Sequence, residues 1–130
     1  MDTGHRKTYD LEERLISFAV QAIEISESLP NSKAGNHLSG QLIRSATSPA
    51  LNYGEAQSAE SKPDFIHKLK IILKELRETL VSLEIIQRIN ALDCDEKLKS
   101  AADECNQLIS IFVKSIQTAR GNPTRTRGAE

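Results

Sequence analysis

The sequence predicts an all-α fold, an up-down-up-down antiparallel four-helix bundle. Three observations lead there. Apolar residues recur at spacings of three and four along most of the chain, which is the helical period. Proline, glycine and capping residues cut that pattern into four segments with short links, as antiparallel neighbours require. The hydrophobic content of 38% comes with only 4% aromatics and no Trp, so the core is aliphatic. At 130 residues the chain is long enough for one domain with a core of its own. Residues 1–9 read as a flexible N-terminus, 10–120 as the bundle and 121–130 as a disordered basic tail. The helices are expected at about 10–29, 36–60, 63–90 and 93–120.

Each element has its own warrant. In the first, Asp10 is a candidate cap, with Glu12 and Glu13 in the first turn, where the helix dipole favours acids. Leu11, Leu15, Phe18, Ala22, Ile25 and Leu29 then form a seam spaced like that of a coiled coil. Ile16, Ala19, Val20 and Ile23 add a second apolar arc, so this helix should be covered on more than one side. Pro30 ends it, and 31–35 is a loop. The second helix starts near Asn36 or His37 and contains Pro49, which predicts a kink or break around Ser45 to Pro49. Gly54 either admits a close neighbour or weakens the helix.

Ser61-Lys62-Pro63-Asp64 stops one helix and starts the next. The third helix has a main apolar arc of Phe65, Leu69, Ile72, Leu73, Leu76, Leu80 and Leu83, and a nearly opposite one of Ile71, Val81, Ile85 and Ile89. Asp93 or Cys94 opens the fourth, whose single stripe runs from Leu98 to Ala119 before Gly121 and Pro123 end it. The second arcs give a candidate oligomer interface of Ile16, Val20, Ile23, Ile71, Val81, Ile85 and Ile89, because large exposed apolar patches mark contacts.

The most informative stretch is Gln41 to Glu55. On a helix, Gln41, Arg44, Ser48, Asn52 and Glu55 fall within an arc of roughly 80°, beside the apolar arc of Leu42, Ala46, Pro49 and Tyr53. A cation, an anion, an amide and a hydroxyl next to a core seam can satisfy one another across a helix contact, and unpaired they would be costly. The stripe therefore reads first as a structural polar network, joined by Glu75 and Glu78 of the third helix, and second as a ligand surface. On the structural reading, Asn52→Leu or Glu55→Leu should disturb folding or assembly.

Several motifs here resemble the bacterial four-helix bundle proteins that include the 23S rRNA intervening-sequence proteins. They are Gln41-Leu42-Ile43-Arg44, Ser48-Pro49, Asn52, Glu55-Ala56, Asp64-Phe65-Ile66 and Leu73-Lys74-Glu75-Leu76. The resemblance spans about Leu11 to Ala119, and its specific part is Gln41 to Glu78. Many relatives carry paired arginines where this chain has Arg44-Ser45, and a glycine where it has Gln57. A role resting on a second arginine does not carry over. The resemblance implies the same bundle, assembly into a ring-like homo-oligomer with a homopentamer as precedent, and an association with RNA. Related accessory variability determinant proteins of retroelements work with a reverse transcriptase.

Little in the sequence points to catalysis or cofactors. His5, His37 and His67 are not spaced with Cys, Asp or Glu as a metal or nucleophilic set, and there is no phosphate-binding glycine loop. Cys94 and Cys105 lie three turns apart on one expected helix, too far to pair with each other. No enzyme activity, cofactor or metal is expected. The N-terminus lacks an apolar signal core and no run approaches a membrane span, so a cytoplasmic protein without membrane contact is expected.

Net charge is −1, which does not by itself announce a nucleic-acid binder. The charge is uneven, however, with bases concentrated in the third helix and the tail. Arg44, Lys68, Lys70, Lys74, Arg77, Arg125 and Arg127 are the candidate nucleic-acid-binding residues. The functional expectation is a non-catalytic oligomer that binds RNA or a nucleic-acid enzyme through this basic surface. The alternative is a protein interaction scaffold with no nucleic-acid ligand.

Overall fold

The computed structural model describes residues 6–89 and 95–121. Four helices, α1 (Arg6–Glu27), α2 (Lys33–Gln57), α3 (Lys62–Arg88) and α4 (Asp95–Ala119), account for nearly all of them. Helices α1–α2, α2–α3 and α3–α4 pack as neighbours, and α4 returns to touch α1 more sparsely, which leaves α1 and α3 on a diagonal. Pairing runs antiparallel: on α2–α3, Arg44 meets Glu78 and Glu55 meets Lys68, so numbers rise on one helix as they fall on the other.

The helix boundaries follow local chemistry. Helix α1 begins at Arg6, which places Asp10 inside it rather than at its cap. Helix α2 begins three residues earlier than expected, because Ser32 caps it by accepting the Gly35 amide proton at 3.0 Å. Only glycine fits at position 35. A Cβ there would stand 1.9 Å from the Pro30 carbonyl oxygen, so the α1–α2 turn depends on it. Ser61 caps α3 in the same way through the Asp64 amide, with Pro63 in the first turn. Gly121 ends α4 with φ +72°, and its amide proton is donated to the Thr118 carbonyl. Asp93 and Cys94 lie outside the described residues.

The expected break at Pro49 does not occur, and α2 runs unbroken through it. The missing amide forfeits one helical hydrogen bond, but the ring is buried with Leu42, Ala46 and Tyr53 on the inward face. Packing of that face outweighs the local penalty.

The core is the aliphatic seam read from the sequence. Leu15, Phe18, Ala22 and Ile25 meet Leu42 and Ala46, Leu69, Ile72, Leu76, Leu83 and Ile86, and Leu98, Leu108 and Phe112. Each fully buried Leu, Ile or Phe contributes about 1.5–3 kcal/mol of hydrophobic stabilisation. Tyr53 and Phe112 pack edge to face with ring centroids 6.0 Å apart. Cys105 is buried and donates its thiol hydrogen to the Leu76 carbonyl at 3.2 Å, and burial pushes its pKa up to about 12, so it behaves as a small apolar residue. No helix among the described residues is long and apolar enough to cross a membrane.

Candidate functional site

Helices α2 and α3 are stitched by a polar seam. Arg44 sends Nη1 to Glu75 Oε1 at 3.1 Å and Nη2 to Glu78 Oε1 at 2.7 Å. Beside this bridge, at the next residue of each helix, the hydroxyls of Ser45 and Thr79 lie 2.8 Å apart, both buried. Thr79 Oγ1 is also 2.8 Å from the Glu75 carbonyl. A carbonyl only accepts, so Thr79 donates to it and takes the Ser45 proton, leaving both hydroxyls bonded. Further along, Lys68 Nζ meets Glu55 Oε1 at 2.7 Å. Donating to Glu78 and Glu75 raises the Arg44 pKa, and accepting from Arg44 lowers that of Glu78. Donating to Glu55 raises that of Lys68.

Of the stripe singled out in the sequence, Arg44 and Glu55 thus reach across to α3. Ser48 and Asn52 do not. Asn52 Nδ2 donates to the Ser48 carbonyl and hydroxyl, one turn back on the same helix. Gln41 is exposed at the rim. Glu55 is also exposed, and of the stripe residues Arg44 and Glu55 make the crossings to α3 rather than one continuous row.

A second seam, which the sequence pattern did not reveal, joins α1 and α4. Arg14 grips Glu104 with two parallel bonds of 2.9 Å and reaches Gln107 at 3.1 Å, and Gln21 donates to Ser100 at 3.2 Å. These partners lie at the two ends of the chain, and only the closed bundle makes them neighbours.

The candidate nucleic-acid residues divide by what surrounds them. Arg44 and Lys68 are held by carboxylates, and Lys74 lies 4.0 Å from Glu78. Lys70 and Arg77 are exposed, with no carboxylate within 4 Å among the described residues. Arg125 and Arg127 lie outside the described residues. Lys70 has company that the sequence reading did not select. Together with Lys62, Pro63, Ile66, His67 and Arg120 it lines a shallow cleft of about 440 Å³ where α3 begins and α4 ends.

The apolar candidates also divide. Val81, Ile85 and Ile89 on α3 and Ile16 and Val20 on α1 are 43–55% exposed, whereas Ile23 and Ile71 are half-buried. Leu51 of α2, at 69%, is the most exposed of the large apolar side chains among the described residues, and it was not among the candidates. Among the described residues no group of three His, Cys, Asp or Glu side chains comes together as a metal-binding set.

This arrangement of helices is shared. The family model described as 23S rRNA-intervening sequence protein matches residues 7–114, which is most of the bundle. The chain belongs to the 23S rRNA-intervening sequence protein family. A crystal structure of a protein of unknown function from the S23 ribosomal protein family, from Bacteroides thetaiotaomicron, is similar to this family member, with a TM-score of 0.76 and 31% sequence identity. The match covers 82% of this chain and 98% of the other. No curated protein matches the chain.

Proposed function

We propose that this intervening-sequence family protein is a non-catalytic, self-assembling helical bundle that binds RNA through the basic surface of α3. The observation that carries the reading is the unanswered charge on that helix. Lys70 and Arg77 stand in solvent with no carboxylate within 4 Å among the described residues, while Arg44 and Lys68 are each paired with a carboxylate. Contact would be with phosphates and largely independent of sequence, because nothing reads base edges.

Self-assembly is supported by the exposed apolar strips. They lie on α1 and α3, which are diagonal in the bundle, so one protomer offers two different faces. Two different faces favour head-to-tail contacts, and such contacts close into rings when the rotation allows; a homopentamer is the form the resemblance favours. A ring would repeat each basic surface around its axis and add phosphate contacts without new chemistry.

Light scattering on the purified protein tests assembly. A multimer is expected, and Val81→Glu or Ile16→Glu should reduce it to monomers. A monomer at all concentrations would end the ring reading. Fluorescence anisotropy with a labelled structured RNA at two salt concentrations tests the ligand. Binding that weakens steeply with salt is expected. If nothing binds at low salt, the exposed strips and Leu51 become the argument for a protein-docking scaffold instead.

A further inference from the structure

The geometry points to a phosphate-monoester site in the cleft formed by Lys62, His67, Lys70 and Arg120. The four basic side chains come from the start of α3 and the end of α4 and line one concavity whose lining, among the described residues, includes no carboxylate. Three other cations of α3, Lys68, Lys74 and Arg88, have an acid beside them, and Arg77, which has none among the described residues, stands outside the cleft. In a chain with 18 acidic and 17 basic residues, gathering bases without an acid among them is not a matter of composition. Local helix energetics do not explain it either. Arg120 suits the negative end of α4, but Lys62 occupies the first turn of α3, where the dipole favours anions. An external anion satisfies all of these groups together.

The shape and charge narrow its class. Side chains that converge on a concavity suit a group projecting inward, such as the end of a chain, better than the convex backbone of a duplex. Lys62, Lys70 and Arg120 supply three fixed positive charges and His67 a further ring N–H donor, which suits the nearly dianionic terminal phosphate better than a singly charged diester. Pro63 and Ile66 are the apolar members of the lining. The site deepens the RNA reading by assigning it a place for a phosphorylated RNA end, and a free mononucleotide carries the same chemistry.

The test uses the full chain and two pairs of probes. Isothermal titration compares a short 5′-phosphorylated oligouridylate with its 5′-hydroxyl counterpart, and uridine 5′-monophosphate with uridine. The phosphorylated member of each pair should bind about tenfold more tightly or better, as expected for added charge-assisted hydrogen bonds. Lys70→Ala and Arg120→Ala should each erase the preference while leaving the thermal midpoint unchanged, because both side chains are exposed. Lys97→Ala, near the start of α4 at the opposite end of the bundle, should leave the preference intact. Equal binding of both oligonucleotides with no response to the mononucleotide overturns the monoester site and leaves the RNA reading standing. Binding of the mononucleotide alone upholds the site and removes the RNA reading. No binding of any probe overturns both.

Discussion

The α2–α3 seam and the cleft at the junction of α3 and α4 use the same residue types to opposite ends. In the seam each charge is answered within the chain: Arg44 by Glu75 and Glu78, Lys68 by Glu55, and the Ser45 hydroxyl by Thr79. In the cleft Lys62, His67, Lys70 and Arg120 are gathered with no acid in the lining among the described residues. Burial accounts for the inner part of the difference: Ser45, Thr79 and Glu75 are buried in the seam, whereas the basic side chains of the cleft stand in solvent. Polar groups taken out of water must be paired inside the protein, so the seam fixes the register of two helices. Charges left in water carry no such obligation and remain available to a ligand. Changes in the seam should therefore appear as lost stability, and changes in the cleft as lost binding.

The largest effect is expected at the buried hydroxyl pair. Thr79→Val keeps the shape but strands the Ser45 hydroxyl, at a cost of about 1–3 kcal/mol in chemical denaturation. Adding Ser45→Ala should restore much of that loss, since removing both partners leaves nothing unsatisfied. Strictly additive losses in the double-mutant cycle would show that the hydroxyls do not act as a pair.

Arg44→Met should cost less, about 1 kcal/mol, or roughly 4 °C in thermal midpoint for a domain of this size. The Arg44 side chain is 53% exposed, but it serves Glu75, whose side chain is only 11% exposed and would be left without its cation. Glu75→Gln in the same background should recover part of the loss. A neutral Arg44→Met would place this bridge with ordinary surface pairs, and the register argument would then rest on the hydroxyls alone.

How far the sequence reached follows the same division. The four helices, the aliphatic seams and the stops at Pro30, Pro63 and Gly121 were legible because each rests on neighbours within a few turns. Arg44 and Glu55 were legible as cross-helix groups because a polar stripe beside a core seam has few other uses. The start of α2 was missed because Ser32 as a cap is apparent only once Gly35 is seen packed against Pro30. Of the kink or break expected at Pro49, the break is absent because the packing of the inward face offsets the local penalty. The Arg14–Glu104 clamp and the cleft were invisible for a different reason. Arg14 and Glu104 stand 90 residues apart, and Lys70 meets Arg120 only because the antiparallel bundle brings the start of α3 beside the end of α4.

The outer side of α2 offers a smaller effect that bears on assembly. A Cβ added at Gly54 meets nothing within 4 Å in the single chain, so Gly54→Ala should stabilise the protomer by up to about 1 kcal/mol through helix propensity. That sign holds only while the face around Gly54 and exposed Leu51 is solvated. Destabilisation or a changed assembly size on light scattering would show that another protomer packs closely there, and α2 would then join α1 and α3 in the interface.

The smallest effect concerns pH. The hydrogen bond from Arg44 holds the Glu78 carboxyl below its ordinary value of 4.5 in the folded protein. A depressed folded pKa means that the unfolded chain binds the proton more readily. The contribution of Glu78 is therefore complete above the unfolded value and disappears as pH falls through the folded one. Glu78→Gln removes it at every pH. The thermal midpoints of the parent and Glu78→Gln proteins should differ slightly near neutrality, and the gap should close on acidification below 4.5. The gap stays small because the Glu78 side chain is 40% exposed and its attraction to Arg44 is screened. A gap that persists undiminished in acid would mean that the glutamine disturbs packing, and the charge of Glu78 would have no part in holding α2 against α3.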